Sequence, residues 1–417
     1  MARGTVHIIG AGLAGLSAAV SLSGSGRKVV VHELARHAGG RCRSYFEPTL
    51  GLTIDNGNHL VLSGNQSALT FLKTVGAPGG LVGPAAAEFP FADLASGKRW
   101  SVRPNAGPLP WWIFASGRRV PGTSALDYVA LARLLTVIGD QTLGEVLSCD
   151  GTLYKRLLRP VFLAALNTDP VVGSAALAGA VVRETLAKGG QACRPLIAAG
   201  GLGAAFIDPA LAYLQRKGAE VRFDHQLRAV DLADDHVRTL DFGEDKIALG
   251  KDDAVVLAVP GWVAPLLIRG LPAPKEFNAI LNAHFKIAPP PGFPKILGVL
   301  NATTEWVFAF PDRISVTVSA ADRFVEAERE QLARQIWSEV AALTGQKGDM
   351  PPWQLVKERK ATFAALPREN AKRPAARTRW RNLVLAGDWT ATGLPATIEG
   401  AIRSGTRAAG LVRGTPA

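Results

Sequence analysis

Two glycine-rich turns and a carboxylate carry the first chemistry the sequence offers. GAGLAG occupies residues 10–15, between an apolar run at 5–9 (TVHII) and a Leu/Ala-rich stretch at 13–23 that reads as a helix. Gly10 lets the chain turn, Gly12 removes a side chain so that a pyrophosphate can approach backbone N–H groups, and Gly15 lets the helix pack closely. The helix N-terminus at Leu13 and Ala14 adds partial positive charge. A second strand, KVVVHE, ends at Glu33, 21 residues beyond Gly12. A carboxylate there accepts from both hydroxyls of an adenosine ribose and repels a phosphate in the same pocket. The order strand, glycines, helix, strand, carboxylate predicts a dinucleotide-binding βαβ unit.

Leu34 and ARHAGGRCRS (35–44) follow. Gly39 and Gly40 let backbone approach a cofactor, Arg41 offers a fork of donors to its pyrophosphate, and Arg36 stands near the same phosphate or ribose. The second glycine turn lies near the far end, where NLVLAG (382–387) runs into Asp388 and GDWTATGLPATIEGAIRSG (387–405). It reads as strand, turn and a helix beginning around Pro395 or Ala396, with proline tolerated in the first turn. Glu399 and Arg403 are spaced as an i,i+4 pair.

The GG-Arg extension and this closing segment resemble those of the flavoprotein superfamily that holds the amine oxidases and phytoene desaturases. The resemblance implies FAD rather than a nicotinamide. It implies that Asp388 meets the ribityl chain or a phosphate-side group, and that Gly387, Leu394, Pro395 and Ile398 surround a helix N-terminus aimed at the flavin's pyrimidine oxygen. The backbone of Leu227 would meet the adenine. The fold class implied is α/β: a Rossmann-type FAD-binding domain of the amine oxidase/glutathione reductase kind with a discontinuous mixed α+β substrate domain. Residues 1–75, 195–265 and 376–417 would form the first, and 76–194 and 266–375 the second.

LTIDNGNHLVLSGNQSALTFLKTVG (52–76) narrows the resemblance. With WWIF (111–114), RPVFLAALNTDP (159–170) and ILNAHFKI (280–287), it is similar to the hydroxysqualene dehydroxylases of hopanoid synthesis, over nearly the whole chain. Asn56, His59 and Asn167 carry that likeness. It implies reductive removal of a hydroxyl from a polyisoprenoid, with reducing equivalents carried by FAD from an electron donor outside the chain. An allylic cation-like carbon needs an apolar chamber with oriented aromatic faces. Gly57, Asn58 and His59 would lie beside the flavin, and His59 is the leading catalytic candidate, an imidazole able to donate a proton or a hydrogen bond. Asn282 falls where many amine oxidases place a lysine, and His284 would face the same cavity. Trp111, Trp112, Phe114 and Trp389 are candidates for a tunnel or its mouth. The enzymatic rival is a polyisoprenoid desaturase; a non-catalytic prenyl-lipid carrier is the rival of another class.

The elements that must position these residues are those of a large globular chain. Its 417 residues, 47% apolar and 20% charged, suffice for a sizeable core split between two domains. Helices are expected over 126–139, 204–217 and 323–343, and strands at 220–223, 227–232 and 252–262. Three scattered cysteines, Cys42, Cys149 and Cys193, frame neither a disulfide scaffold nor a metal cluster. No early apolar signal segment fits before the glycine turn, so a cytoplasmic location is expected. The best membrane-span candidate, 160–182, is broken by Asn167, Asp169 and Pro170. A net charge of +12 favours anionic partners, an acidic membrane or the flavin pyrophosphate ahead of nucleic acid, for which no motif stands in the sequence, and a solvated surface accounts for it equally well. Trp111 and Trp112, followed by Arg118 and Arg119, suggest peripheral contact with the cytoplasmic membrane.

Overall fold

The computed structural model describes residues 3–414; residues 1, 2 and 415–417 of the outer cofactor segments lie outside it. Five strands pair in parallel, in the order Leu383–Leu385, Ala254–Leu257, Arg3–Ile9, Arg27–His32 and Glu220–Arg222, the first four with apolar runs. Runs such as AVVL and LVL are buried on both faces, as a sheet covered on both sides requires. The Leu13–Leu22 helix lies against Ile398–Arg413 across small residues. A Cβ at Gly405 would overlap the Ala14 carbonyl, and Ser17 Oγ donates to the Ile402 carbonyl at 2.9 Å. Opposite ends of the chain are thereby locked together behind the glycine turn.

A second sheet of seven strands runs Trp353–Phe363, Phe277–Phe285, Ile314–Val318, Trp306–Ala309, Ile296–Leu300, Phe89–Asp93 and Arg99–Val102. Strand alternation divides its residues between two faces. Leu281, Ala283 and Phe285 meet Leu332, Ile336 and Trp337 of the Arg329–Thr344 helix. On the other face stand Asn282, His284, Ser315 and Thr317, continued by Trp306, Phe308 and Phe91 towards the short helices of 111–188.

Several expected elements are shorter or broken. The stretch 126–139 is not one helix but Ala125–Val129, a 3-10 turn at Ala130–Ala132, and Arg133–Thr136. Its buried residues, Tyr128, Leu131 and Leu134, recur every third position, the period of a 3-10 helix. The 323–343 helix starts only at Arg329, because the Glu328 carboxylate accepts from the N–H groups of Glu330 and Gln331 and caps it there. The 204–217 helix opens as a π turn at Gly203–Ile207 before Asp208–Arg216. The 227–232 strand begins at Ala229, and the 252–262 strand spans only Ala254–Leu257. The apolar run from Pro160 ends its helix at Asn167 in the left-handed region, φ 47°, and restarts at a Ser174 cap. Among the described residues no helix is long and apolar enough to cross a membrane.

Candidate cofactor and substrate site

At the amino-terminal turn each glycine has a distinct geometric reason. Gly10 has φ +105°, and a Cβ on it would lie 2.8 Å from the Ala258 carbonyl oxygen; a Cβ on Gly15 would overlap the Gly10 carbonyl. Gly12 instead faces open space, and no side chain caps the helix that starts at Leu13, so its first amides are free for an anion. Glu33 accepts from Ala11 N–H at 2.7 Å and Ala35 N–H at 2.9 Å, which holds its carboxylate at the lip of the turn. The Gly39 N–H donates to the Ala11 carbonyl at 2.9 Å, and Gly40 lies against Gly12, so the two glycine segments share one cradle. This open, donor-lined cradle fits the pyrophosphate of FAD.

The arginines depart from expectation. Arg36 points into solvent, 87% exposed, and pairs with Asp224 at 3.6 Å, because the loop after Glu33 turns it away from the glycines. Arg41 donates to Asp388 Oδ1 at 2.7 Å and to the Ala361 carbonyl at 2.6 Å. It thus ties the first cofactor motif to the last instead of standing free for a phosphate, and the Asp388 carboxylate raises its pKa against the opposing effect of burial. Leu34 is exposed, whereas Leu227 is buried behind the His225 N–H, which donates to the Glu33 carbonyl at 2.8 Å.

In the closing motif Gly387 takes φ +146° with Trp389 folded against it, and the Trp389 indole N–H donates to the Val259 carbonyl at 2.9 Å. Trp389 is therefore a packing residue wedged between Gly387 and Gly261, not a tunnel wall. Arg373 carries no local sequence signal, sitting among several basic residues. It is buried, donates to the Asp388 carbonyl at 3.0 Å and to Thr392 Oγ1 at 2.8 Å, and braces the loop; burial lowers its pKa to about 10. The last helix starts at Ile398 with Thr397 as its cap, so Pro395 precedes it and lies outside the first turn. Leu394 and Ile398 are buried beneath this start. Glu399 does more than pair with Arg403: its two oxygens accept from Ser67 and Ala68 N–H and cap the Gln66–Val75 helix.

Between the two motifs a polar knot fastens the loop at 57–59 to the seven-stranded sheet. Asn282 Oδ1 accepts from Asn58 N–H at 3.2 Å and from Thr317 Oγ1 at 2.8 Å. A backbone N–H can only donate, so the amide orientation is fixed. Asn282 Nδ2 then points at Gly57, buried and without a protein partner. His59 Nδ1–H donates to the Gly57 carbonyl at 2.8 Å, and burial lowers its pKa. The lowered pKa favours the neutral ring, in which Nδ1–H is the donor and Nε2 an acceptor. Thr317 pairs in register with Trp306, whose indole N–H is also buried without a partner. Asn167 is enclosed beside the knot: it donates to Thr362 Oγ1 at 2.9 Å and accepts from Ala320 N–H at 2.7 Å, fastening a helix end to the sheet.

Other candidates are not brought to this site. His284 is fully buried one step along the strand, its Nδ1 hydrogen-bonded to Ser315 at 2.8 Å, and burial drives its pKa to about 3. Its register partner Gln354 donates to Glu47 Oε2 at 2.7 Å and ties this part of the strand to the hairpin of Ser44–Glu47 and Leu52–Asp55, two residues beyond the Asn282 that faces Gly57. Trp112 is core, edge-on to Tyr128 at 5.1 Å. Trp111 and Phe114 are 65% and 66% exposed, since the 3-10 turn that buries Trp112 and Ile113 turns its other side outward.

A parallel sheet with an open glycine cradle, a ribose-side carboxylate and a second glycine motif from the far end define a flavin-dependent oxidoreductase. Residues 13–413 match the family of flavin containing amine oxidoreductases, and the chain belongs to it. A putrescine oxidase double mutant has the same fold, with TM-score 0.72 at 18% identity, covering 98% of this chain and 99% of that one. Among curated proteins, the chain is 56% identical over 409 residues to the hydroxysqualene dehydroxylase of Rhodopseudomonas palustris (strain ATCC BAA-98 / CGA009), covering 98% of each. It is 54% identical over 406 residues to the hydroxysqualene dehydroxylase of Sinorhizobium fredii (strain NBRC 101917 / NGR234), covering 97% of each.

Proposed function

We propose that this chain converts hydroxysqualene to squalene in hopanoid formation, releasing the hydroxyl group as water. The observation that carries this reading is the 56% identity to a hydroxysqualene dehydroxylase over 98% of both chains. Reduced FAD, when bound, supplies a hydride to the carbon that loses the hydroxyl, and one proton completes the water.

The segments 1–75, 195–265 and 376–417 form the cofactor half of this reading, and 76–194 and 266–375 the substrate half. Gly10, Gly12 and the amides of Leu13 and Ala14 hold the pyrophosphate, Glu33 the ribose, and the Leu227 backbone the adenine. Gly39, Gly40 and the Arg41–Asp388 pair close the cradle, while Gly387 and the turn from Leu394 to Ile398 flank the flavin end. The unpartnered Asn282 Nδ2 donates to the departing hydroxyl oxygen, and neutral His59 Nε2 accepts from the hydroxyl hydrogen to orient it. Trp306, Phe308 and Phe91 supply aromatic faces and exclude water from the cationic carbon. The substrate is a hydrophobic polyisoprenoid that reaches the protein from lipid through peripheral contact with the membrane, and an electron donor outside the chain restores the reduced state.

The test is anaerobic incubation of the FAD-loaded, reduced protein with hydroxysqualene. Squalene is the expected product. Failure to form it with folded, FAD-loaded protein overturns the proposal, and a conjugated product from squalene with oxidised protein would establish a desaturase instead.

A further inference from the structure

One rim of the molecule is apolar where a water-soluble surface would be polar. Among the described residues, seven of the thirteen large apolar side chains that stand exposed lie between Leu109 and Ile138, a concentration that marks a contact surface. The segment is anchored and not loosely packed. Tyr128 stacks edge-on against Trp112 and its hydroxyl accepts from Val120 N–H at 3.0 Å, while Arg119 donates to the carbonyls of Ile113 and Thr123 at 2.7 and 2.8 Å. Each short helix therefore sinks one side into the core and holds the other outward. Trp111 and Phe114 project together, their ring centroids 6.3 Å apart, and Leu126, Val129 and the 88% exposed Ile138 follow. Beside Ile138 an open groove of about 420 Å³ is lined by Arg133, Val137 and Val146 among others.

The charge on this rim selects the occupant. Residues 109–138 contain three arginines and a single acid, Asp127, whose carboxylate is engaged in capping at Ser124. Arg118 and Arg133 are exposed, and the whole chain carries +12. A second copy related by a twofold axis would set these arginines against their own like charges, whereas anionic headgroups complement them. Trp and Phe at a water boundary, with arginines beside them, suit the interface of a bilayer, and no described helix crosses one.

We infer that the Leu109–Ile138 rim seats the protein on an anionic lipid surface, with Trp111, Phe114 and Ile138 in the headgroup–acyl boundary and Arg118 and Arg133 on the phosphates. The inference rests on the lipid substrate proposed above, for which such seating shortens the path from bilayer to site. Trp112, by contrast, belongs to the core and takes no part.

The experiment compares the FAD-loaded wild type with the triple variant Trp111→Ser, Phe114→Ser, Ile138→Ser. Each is sedimented with phosphatidylcholine vesicles, with and without phosphatidylglycerol. The wild type is expected to sediment with the anionic vesicles, and the variant's partitioning to fall by about tenfold or more with an unchanged flavin spectrum. The variant should still convert hydroxysqualene in detergent micelles and be slowed only when the substrate is embedded in vesicles. Equal partitioning of the two proteins, or no binding by the wild type, overturns the inference. So does a wild-type dimer in lipid-free buffer that the variant lacks, which would identify a second copy as the occupant. Vesicle binding lost in the variant, by a wild type that converts no substrate in micelles, upholds the surface and overturns the dehydroxylase reading.

Discussion

The Gly10–Gly15 turn and the Asn58–Asn282–Thr317 knot each hold hydrogen-bond donors without a protein partner, but the chain builds them in opposite ways. The turn is local: Gly10 and Gly15 are required because neighbouring backbone leaves no room for a Cβ, Gly12 leaves the approach to the helix open, and Glu33 is placed by a strand that begins a few residues after the helix ends. The knot joins residues 224 and 259 positions apart and exists only when the loop at 57–59 has docked on the seven-stranded sheet. A local site fails by steric clash. A docked site fails by losing one hydrogen bond at a time, so its parts can be separated by conservative substitutions.

The largest expected effect tests the local half. Gly15→Val places side-chain atoms inside the Gly10 carbonyl, with the Ala258 methyl close by, and the protein should purify without flavin absorbance or fail to fold. Yellow, stable protein would show that the helix can shift away and that the close approach is not required.

Asn282 tests the knot. Asn282→Ala should retain FAD yet slow turnover by about a hundredfold, the scale for removing one donor at a developing charge. Asn282→Asp keeps an acceptor for Asn58 N–H and Thr317 while removing the Nδ2 donor. If donation is the role, the aspartate variant is as slow as the alanine variant; recovery of wild-type turnover would make Asn282 a positioning residue only.

Glu33→Gln should weaken FAD by roughly tenfold through loss of charge-assisted bonds, measured by flavin titration, and leave turnover at saturating FAD unchanged. A fall in turnover at saturation would mean that the ribose end communicates with the knot, contrary to their separate construction.

The smallest effect lies behind Glu33, where His7, His32 and His225 form a string: His7 Nδ1 to His32 Nε2 at 3.1 Å, and His32 Nδ1 to His225 Nδ1 at 2.8 Å. Burial lowers the pKa of His7 and takes His32 from 6.5 to about 3. Below pH 6.5 the unfolded chain binds protons that the folded one refuses, so the stability these rings contribute above 6.5 is lost as pH falls towards about 3. Thermal melting from pH 7 down to 5 should show this decline, and His32→Gln should flatten it. An unchanged slope in the variant would remove His32 as its source.

The same division explains what the sequence disclosed. Gly10, Gly12, Gly15, Glu33 and Gly39 are spaced by local geometry, and their arrangement was readable before any fold was known. Arg41 was recognisable as a cofactor-motif residue, but its partner Asp388 is 347 residues away and only docking brings them together. Arg373 braces the same loop from a stretch with no distinguishing pattern. Hydrophobicity suggested that Trp111 and Phe114 line a cavity; the 3-10 turn that carries them buries Trp112 and Ile113 and exposes the other two. His59 was legible as a candidate from its DNG-x-H context, but its bond to the Gly57 carbonyl and the lowering of its pKa by burial were not.

The most direct measurement of the central claim is a single turnover in an anaerobic stopped-flow instrument, mixing stoichiometrically reduced, FAD-loaded protein with hydroxysqualene. The account predicts that oxidised-flavin absorbance returns as squalene forms, in equal amounts and at the same rate. Flavin that stays reduced, or squalene that appears without flavin oxidation, would contradict it.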